Sequence, residues 1–224
     1  MAISFPDPGI IRIPAKHPPC RPESLTHLVV TLDDRARALE CAHDARHAFT
    51  SILARHAELV ASMRDGGVFG GASDWMERLL LIHAGHYLRA LSGWDAADLS
   101  TTPAPWRALF SRARYEPLTE DELARLSTFV HTAYDLPLAL ARAGFEAASP
   151  SEARDAFDRL PALVVAERRS PLRALPWRRR ITGDVALRVQ AWDDGIALYE
   201  APAGDDLRAI FTRIETRALL QVAG

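Results

Sequence analysis

The sequence has 224 residues, enough for one substantial core, and its 48% hydrophobic and 25% charged residues are typical of a globular protein. Its 27 lysines and arginines against 29 aspartates and glutamates give a formal net charge of −2, so we expect no nucleic-acid binding, which needs surplus positive charge. Two cysteines, Cys20 and Cys41, are too few for a disulfide framework. The sequence also has neither an apolar leader nor a run of 18 apolar residues. These features predict a cytoplasmic protein without a membrane span.

The first 23 residues differ in character from the rest, because they include six prolines. Proline fixes φ and lacks a backbone donor, so we expect residues 1–23 to form an extended, proline-rich arm. From Ser24 onward the apolar residues recur at helical spacing, and alternation of period two is almost absent. The sequence therefore predicts a single all-α domain over residues 24–224, built as a bundle of seven or eight helices.

The predicted helices follow one another with short turns between them. One long helix is predicted over about 36–64, ended by the Asp65-Gly66-Gly67 stop. The next begins near Ser73 and has apolar residues nearly all round as far as Leu91, which is expected of a helix at the centre of a bundle. Cap and turn residues place the remaining helices at about 106–114, 119–143, from 149 onward, 183–200 and 205–222.

Five short blocks stand in a fixed order along the chain: Phe49-Thr50-Ser51, Trp75-Met76-Glu77-Arg78-Leu79, His83-Ala84-Gly85-His86-Tyr87, Pro105-Trp106-Arg107-Ala108-Leu109-Phe110 and His131-Thr132-Ala133-Tyr134-Asp135-Leu136-Pro137-Leu138-Ala139. Their order and spacing resemble an uncharacterised bacterial helical family, catalogued as domain of unknown function 5995, over about residues 36–167. The resemblance implies a polar cluster between the central helices. Here Thr50, Ser51, Gly85 and His86 replace asparagine and arginine residues of the family pattern, so we expect a smaller or more apolar cluster.

His131, Tyr134 and Asp135 are three and four residues apart, and on a helix they share one face. A carboxylate next to a histidine fixes its tautomer and raises its basicity, which suits general acid/base chemistry near neutral pH. Pro137 predicts a kink on the same helix, and a kink in a bundle favours a pocket. The alternative is a purely structural pair, since buried polar groups need partners whether or not they do chemistry.

The wall of the expected pocket is assigned to polar and aromatic residues of the neighbouring helices. The inward-facing histidines among them would, with His131 and Asp135, also suit a metal, but the Glu-x-x-His pairs of di-iron bundles are absent. We therefore predict no metal and no cofactor. The predicted substrate-binding residues are Tyr87, His86, His83, Phe129, His56 and Trp106.

Six arginines fall within residues 168–180, on both sides of Trp177. We expect this run to be a solvated connector, with an anion-binding or partner-docking edge as the alternative.

Together these features predict a cofactor-independent enzyme that acts on a mainly apolar small molecule, in the manner of a cyclase or isomerase of specialised metabolism. His131 would be the acid/base group, oriented by Asp135, with Tyr134 beside them. One alternative is a non-catalytic helical module that binds a ligand or a partner, and another is a metal-dependent enzyme that uses the inward histidines. The sequence does not fix the substrate or the oligomeric state.

Overall fold

The computed structural model of the protein describes residues 22–166 and 185–223. Within these ranges the chain forms helices and turns and no strand, which confirms the all-α fold. The predicted arm, apart from Pro22 and Glu23, and the arginine-rich segment lie outside the described residues. The elements are α1 (Leu25–Cys41), α2 (His47–Asp65), a 3₁₀ turn (Gly70–Ala72), α3 (Ser73–Asp95), α4 (Ala104–Tyr115), α5 (Glu120–Val130), a π-turn (His131–Asp135), α6 (Leu136–Ala143), α7 (Pro150–Ala166), α8 (Val185–Glu200) and α9 (Asp205–Ala223).

The single long helix predicted over 36–64 is wrong, because the chain turns between α1 and α2. His43 adopts a left-handed conformation with φ of 53°, which interrupts the helix. Asp44 then accepts hydrogen bonds from the backbone N–H of Arg46 at 3.0 Å and from its guanidinium. The helix α1 begins earlier than predicted, with the Ser24 hydroxyl accepting from the N–H of His27 at 3.2 Å. Apolar residues recur at helical spacing on both sides of the turn because α1 and α2 pack their apolar faces against each other.

Helix α3 lies at the centre of the bundle, as its apolar residues predicted. Trp75 is 0% exposed, and Tyr87 and Leu91 are equally inaccessible to solvent. The helix contacts α1, α2, α4, α6, α7 and the π-turn. A helix with neighbours on so many sides needs apolar residues around most of its circumference.

The predicted helix over 119–143 is a continuous run whose middle turn is wider than an α-helical turn. At its start, Thr119 and Glu122 form a capping box in which each side chain bonds to the backbone of the other. At the π-turn, the N–H of Leu136 donates to the carbonyl of His131, five residues back. Pro137 follows directly, and its ring and missing N–H are incompatible with a regular α-helical turn. Counting α5, the π-turn and α6 as one run gives eight helices in the described ranges, within the predicted number.

Helix α8 crosses α6 at very close range. A Cβ atom added to Gly195 would lie 2.7 Å from Cβ of Leu140 and 3.2 Å from the carbonyl oxygen of Pro137. The crossing therefore requires glycine. The same helix holds α9 through Asp194, which forms ion pairs with Arg213 and Arg217, each at 2.8 Å.

Candidate functional site

The structure brings His131 and Asp135 together in the interior of the bundle. Nδ1 of His131 lies 2.8 Å from Oδ2 of Asp135. The indole N–H of Trp106, on α4, donates to the same oxygen at 3.0 Å. His131 is 5% exposed and Asp135 is fully buried. The carboxylate thus orients the imidazole, and the tryptophan holds the carboxylate.

The π-turn gives this pair its setting. The bond from the N–H of Leu136 to the carbonyl of His131 encloses one more residue than an α-helical turn, so the backbone bulges at the pair. Such single π-turns inside helices occur frequently at functional sites. Pro137 was predicted to kink this helix, and it directly follows the widened turn.

His83, on α3, supports His131 in two ways. Its ring stacks on the His131 ring, with centroids 3.5 Å apart and planes 5° apart. Its Nε2 lies 2.9 Å from the backbone carbonyl oxygen of His131. Because a carbonyl oxygen only accepts, Nε2 of His83 carries the hydrogen. The ring of Phe49 contacts the other side of the site edge-on, 5.6 Å from the His131 centroid.

Three buried polar atoms at this site have no hydrogen-bond partner in the described part of the chain: Nε2 of His131, Oδ1 of Asp135 and Nε2 of His86. Arg89 donates to Nδ1 of His86 at 3.0 Å, so in the neutral ring Nε2 of His86 carries the hydrogen and is a free donor. Oδ1 of Asp135 is a free acceptor. Buried polar groups without partners are uncommon, which makes these three atoms the candidate binding groups of the site.

Burial shifts the pKa values of both members of the pair. Burial raises the pKa of Asp135 to about 7, although the hydrogen bond from Trp106 and the charge of His86 act in the opposite direction. Burial also lowers the pKa of His131 well below its ordinary value. The interior therefore disfavours the charged form of each group.

Two of the predicted site residues, Tyr87 and Tyr134, contact side chains other than those of His131 and Asp135. The hydroxyl of Tyr87 lies 2.6 Å from that of Thr50, and its ring stays near His131, with centroids 6.4 Å apart. Tyr134 packs its ring against Phe211 of α9, at 6.1 Å. Its predicted place on one face with His131 assumed a regular α-helix, and the π-turn changes that alignment.

Phe129 and His56 are the remaining predicted site residues. Phe129 is half-buried on α5, and His56 is half-buried on α2. Burial, together with the positive charge of Arg188, lowers the pKa of His56 to about 4. No group of three or more histidine, cysteine, aspartate or glutamate side chains in residues 22–166 and 185–223 is arranged to hold a metal ion.

Sequence reasoning gave no role to Phe49, and it treated Trp106 only as pocket wall. The ring of Phe49 contacts those of Tyr87, Trp106 and His131, with centroids 5.0, 6.0 and 5.6 Å away. Each of these four residues belongs to a different one of the blocks quoted above. The signal that could have found the cluster was therefore this set of blocks, since four of the five meet at one place.

A surface cavity of about 340 Å³ opens beside α3. Burial lowers the pKa of His86, and the positive charge of Arg142, which lines this cavity, acts in the same direction. His86 also interacts electrostatically with Asp135. The cavity is lined by Pro22, Asp74, Glu77, Arg78, Leu81, Ile82 and Arg142.

Comparison with known proteins gives a match to one family. No helix in the described ranges is long and apolar enough to cross a membrane. No curated protein and no solved structure gave a significant match to the sequence. The profile of a family of unknown function, DUF5995, matches residues 25–173, which include all five blocks and the His131–Asp135 pair. Because this match spans more than half of the sequence, the chain belongs to the DUF5995 family.

Proposed function

We propose that the protein is a cofactor-independent enzyme, of the cyclase or isomerase type, that uses His131 as its acid/base group. The observation that carries the proposal is the free Nε2 of a buried His131 whose Nδ1 is held by Asp135. This is the arrangement in which a carboxylate orients a histidine toward a reacting group. The proposed setting is the cytoplasm.

The proposed reaction moves one proton and needs no net redox change. With Asp135 ionised, Nδ1–H of His131 donates to Oδ2, and the lone pair of Nε2 removes a proton from the substrate. Asp135 stabilises the imidazolium that forms. His131 then returns the proton to another atom of the same molecule, which completes an isomerisation or a cyclisation. Nε2–H of His86 would donate to a substrate oxygen that becomes negative in the transition state.

The surroundings of the pair favour a mainly apolar substrate. Phe49, Tyr87 and Trp106 surround His131 with aromatic rings, and the two ionisable groups of the pair are both disfavoured in their charged forms. A strongly hydrated substrate would lose its water on entering such an environment without regaining enough hydrogen bonds.

A second candidate is a non-catalytic helical module that binds a ligand. The deep burial of the pair favours it, because Asp135 is 0% exposed and the surface cavity is lined by other residues. In that case His131 and Asp135 satisfy each other and stabilise the core.

Metabolite profiling with purified protein separates the two functions. Wild-type protein, His131→Ala and Asp135→Asn are each incubated with a small-molecule extract of the source cells, and mass spectrometry follows every component. The enzyme function predicts that wild type consumes at least one compound and that His131→Ala does so about 10²- to 10⁴-fold more slowly while still folded.

The matched control is His43→Asn, because His43 is exposed in the turn between α1 and α2 and asparagine tolerates its left-handed backbone. This variant should behave like wild type. Turnover by a well-folded His131→Ala at the wild-type rate, or no turnover by any form, would remove the catalytic function in favour of the second candidate.

A further inference from the structure

Trp106, on α4, contacts the His131–Asp135 pair with the one polar atom of its side chain. The indole N–H donates to Oδ2 of Asp135 at 3.0 Å, and Nδ1 of His131 lies 2.8 Å from the same oxygen. Trp106 and Asp135 are each 0% exposed. Oδ1, the other oxygen of the carboxyl, has no partner among the described residues. The two oxygens of Asp135 therefore differ, because two hydrogen bonds meet at Oδ2 alone.

The indole fixes the direction of one of these two bonds. An indole N–H can only donate, so Oδ2 is the acceptor toward Trp106. A carbonyl or carboxylate oxygen accepts two hydrogen bonds readily. The hydroxyl oxygen of a carboxylic acid is a poorer acceptor, because its lone pair is delocalised into the carbonyl group. The bond from Trp106 is therefore strongest when Oδ2 carries no proton, and it directs the proton of a neutral Asp135 to Oδ1.

The position of the proton on His131 follows from this preference. An Oδ2 without a proton can only accept from Nδ1 of His131, so the ring proton is on Nδ1 and Nε2 has a free lone pair. The competing form of the neutral pair holds the same two protons elsewhere: Oδ2–H donates to Nδ1, and the ring proton is on Nε2. In the competing form Nε2 cannot take a proton from a substrate.

We propose that Trp106 is a positioning residue that keeps the proton of the neutral His131 ring on Nδ1, whether Asp135 is ionised or protonated. The inference rests on the proposed function, in which His131 acts through the lone pair of Nε2. An ionised Asp135 would secure this tautomer by itself. Burial raises the pKa of Asp135 to about 7, however, so that the protonated carboxyl also has to be controlled.

Other titratable groups also face the pair, and the test has to leave them in place. They are His56 on α2, His83, His86, Tyr87 and Arg89 on α3, Tyr134 in the π-turn and, through Tyr134, Glu215 on α9. A variant that removes only the indole of Trp106 retains all of these groups. Comparison of that variant with wild type therefore isolates the hydrogen bond to Oδ2.

Nitrogen-15 NMR of the full chain, labelled at the histidine ring nitrogens, measures the tautomer directly. A ring nitrogen with a proton and one without it have very different chemical shifts. The signals of His131 are identified by their loss in His131→Gln. Burial keeps the pKa of His131 well below its ordinary value, so the ring stays neutral over the range of the experiment, about pH 6 to 8.5. Wild type should show the Nδ1–H tautomer of His131 throughout this range.

Trp106→Phe removes the donor but retains an aromatic ring. Near pH 6 this variant should raise the ratio of the Nε2–H to the Nδ1–H tautomer of His131 by about 5- to 10-fold, the usual effect of one hydrogen bond. At pH 8.5, where Asp135 is ionised, it should show Nδ1–H as wild type does. The matched control is Trp94→Phe, because Trp94 is a half-buried tryptophan of α3 whose ring packs against Phe110, with centroids 5.7 Å apart. The control should retain the tautomer ratio of wild type.

The wild-type titration tests the inference even if Trp106→Phe does not fold. A change of His131 to Nε2–H in wild type as the pH falls would overturn the inference. An unchanged ratio in folded Trp106→Phe, or an equal change in Trp94→Phe, would do the same. These outcomes do not depend on turnover: a tautomer that is controlled by Trp106, without consumption of any metabolite, removes the proposed function and leaves the role of the hydrogen bond. Turnover that depends on His131, in a protein whose His131 changes to Nε2–H, has the opposite meaning.

Discussion

The imidazole of His83 lies flat on that of His131, with ring centroids 3.5 Å apart, and donates a hydrogen bond to the His131 backbone carbonyl. Burial lowers the pKa of both histidines well below the ordinary value, and the charge of His131 would lower the pKa of His83 further. Both rings are therefore neutral at pH 7. The carbonyl concerned belongs to the widened turn, so His83 stabilises the backbone distortion on which the site depends.

Replacement of His83 should separate its hydrogen bond from its ring stacking. His83→Phe keeps a flat ring but loses the donor, and should lower the free energy of unfolding by about 1 kcal/mol, the usual net contribution of one hydrogen bond. His83→Gln keeps a donor but loses the aromatic ring. Urea unfolding of both variants measures the two contributions. A His83→Phe protein as stable as wild type would show that the bond to the carbonyl contributes nothing.

The pairing of Thr50 with Tyr87 predicts an energetic coupling between α2 and α3. Their hydroxyls lie 2.6 Å apart, and both side chains are buried. Thr50→Val or Tyr87→Phe alone leaves one buried hydroxyl without this partner and should cost about 1–3 kcal/mol. The double variant should cost less than the sum of the two single variants. Additive values in a double-mutant cycle by urea unfolding would mean that the two hydroxyls do not interact.

Helix positions and the His131–Asp135 spacing could be read from the sequence, because both depend on local pattern. The break between α1 and α2 could not be read from the sequence, because apolar residues recur at helical spacing on both sides of it. In addition, the left-handed position in this turn is occupied by His43 and not by the usual glycine. The contact of the Tyr134 ring with Phe211 could not be predicted, because the pattern shows that Pro137 distorts the helix but not that a π-turn results.

Contacts that depend on tertiary packing were also beyond sequence analysis. The stacking of His83 on His131 joins residues 48 positions apart. The single charge of Arg188 is unremarkable in a chain with 27 lysines and arginines. Only the tertiary structure shows that Arg188 packs on the ring of Phe157 and donates to its backbone carbonyl.

Two helical glycines provide a matched test of how closely their helices pack. Gly85, in α3, has no atom within 4 Å of the position that a Cβ would take, whereas a Cβ on Gly195 would lie 2.7 Å from Leu140. Gly85→Ala should raise the free energy of unfolding by about 1 kcal/mol through helix propensity alone. Gly195→Ala should lower it by about 1–3 kcal/mol through overpacking.

Thermal unfolding measures both glycine variants, with an expected shift of about 2–4 °C for each kcal/mol in a chain of this size. The essential result is that Gly85→Ala and Gly195→Ala change the free energy of unfolding in opposite directions. A destabilised Gly85→Ala would mean that the space beside α3 is filled in solution.

Buried histidines should make the protein sensitive to acid. Burial lowers the pKa of His56 to about 4, and it also lowers the pKa values of His83, His86 and His131. Below pH 6.5 each of these histidines therefore stays neutral in the folded state, whereas the same residue in the unfolded chain takes up a proton. Above about pH 6.5 these histidines do not lower the free energy of unfolding, because they are neutral in both states. The free energy of unfolding decreases as the pH falls below that value. Urea unfolding between pH 4.5 and 7.5 should show this decline.

The variant His56→Leu tests one member of that set. It removes one group that binds a proton only on unfolding, so its free energy of unfolding should fall less steeply than that of wild type between about pH 6.5 and 4. Parallel curves for the two proteins would show that His56 takes up its proton in the folded state as readily as in the unfolded chain.

Asp135 should respond to pH in the opposite sense, because burial raises its pKa to about 7 from an ordinary value of 3.8. Between these two values the folded protein holds a proton that the unfolded chain has lost, so the contribution of Asp135 is greatest below about pH 4 and disappears as the pH rises through 7. Asp135→Asn cannot ionise. Its stability relative to wild type should therefore improve steadily from pH 4.5 to 7 and level off above that range. Urea unfolding of the two proteins in parallel measures this difference in the free energy of unfolding. A constant difference across the range would show that the carboxyl of Asp135 titrates alike in the folded and unfolded states. That result would contradict an acid/base pair whose carboxyl has a raised pKa.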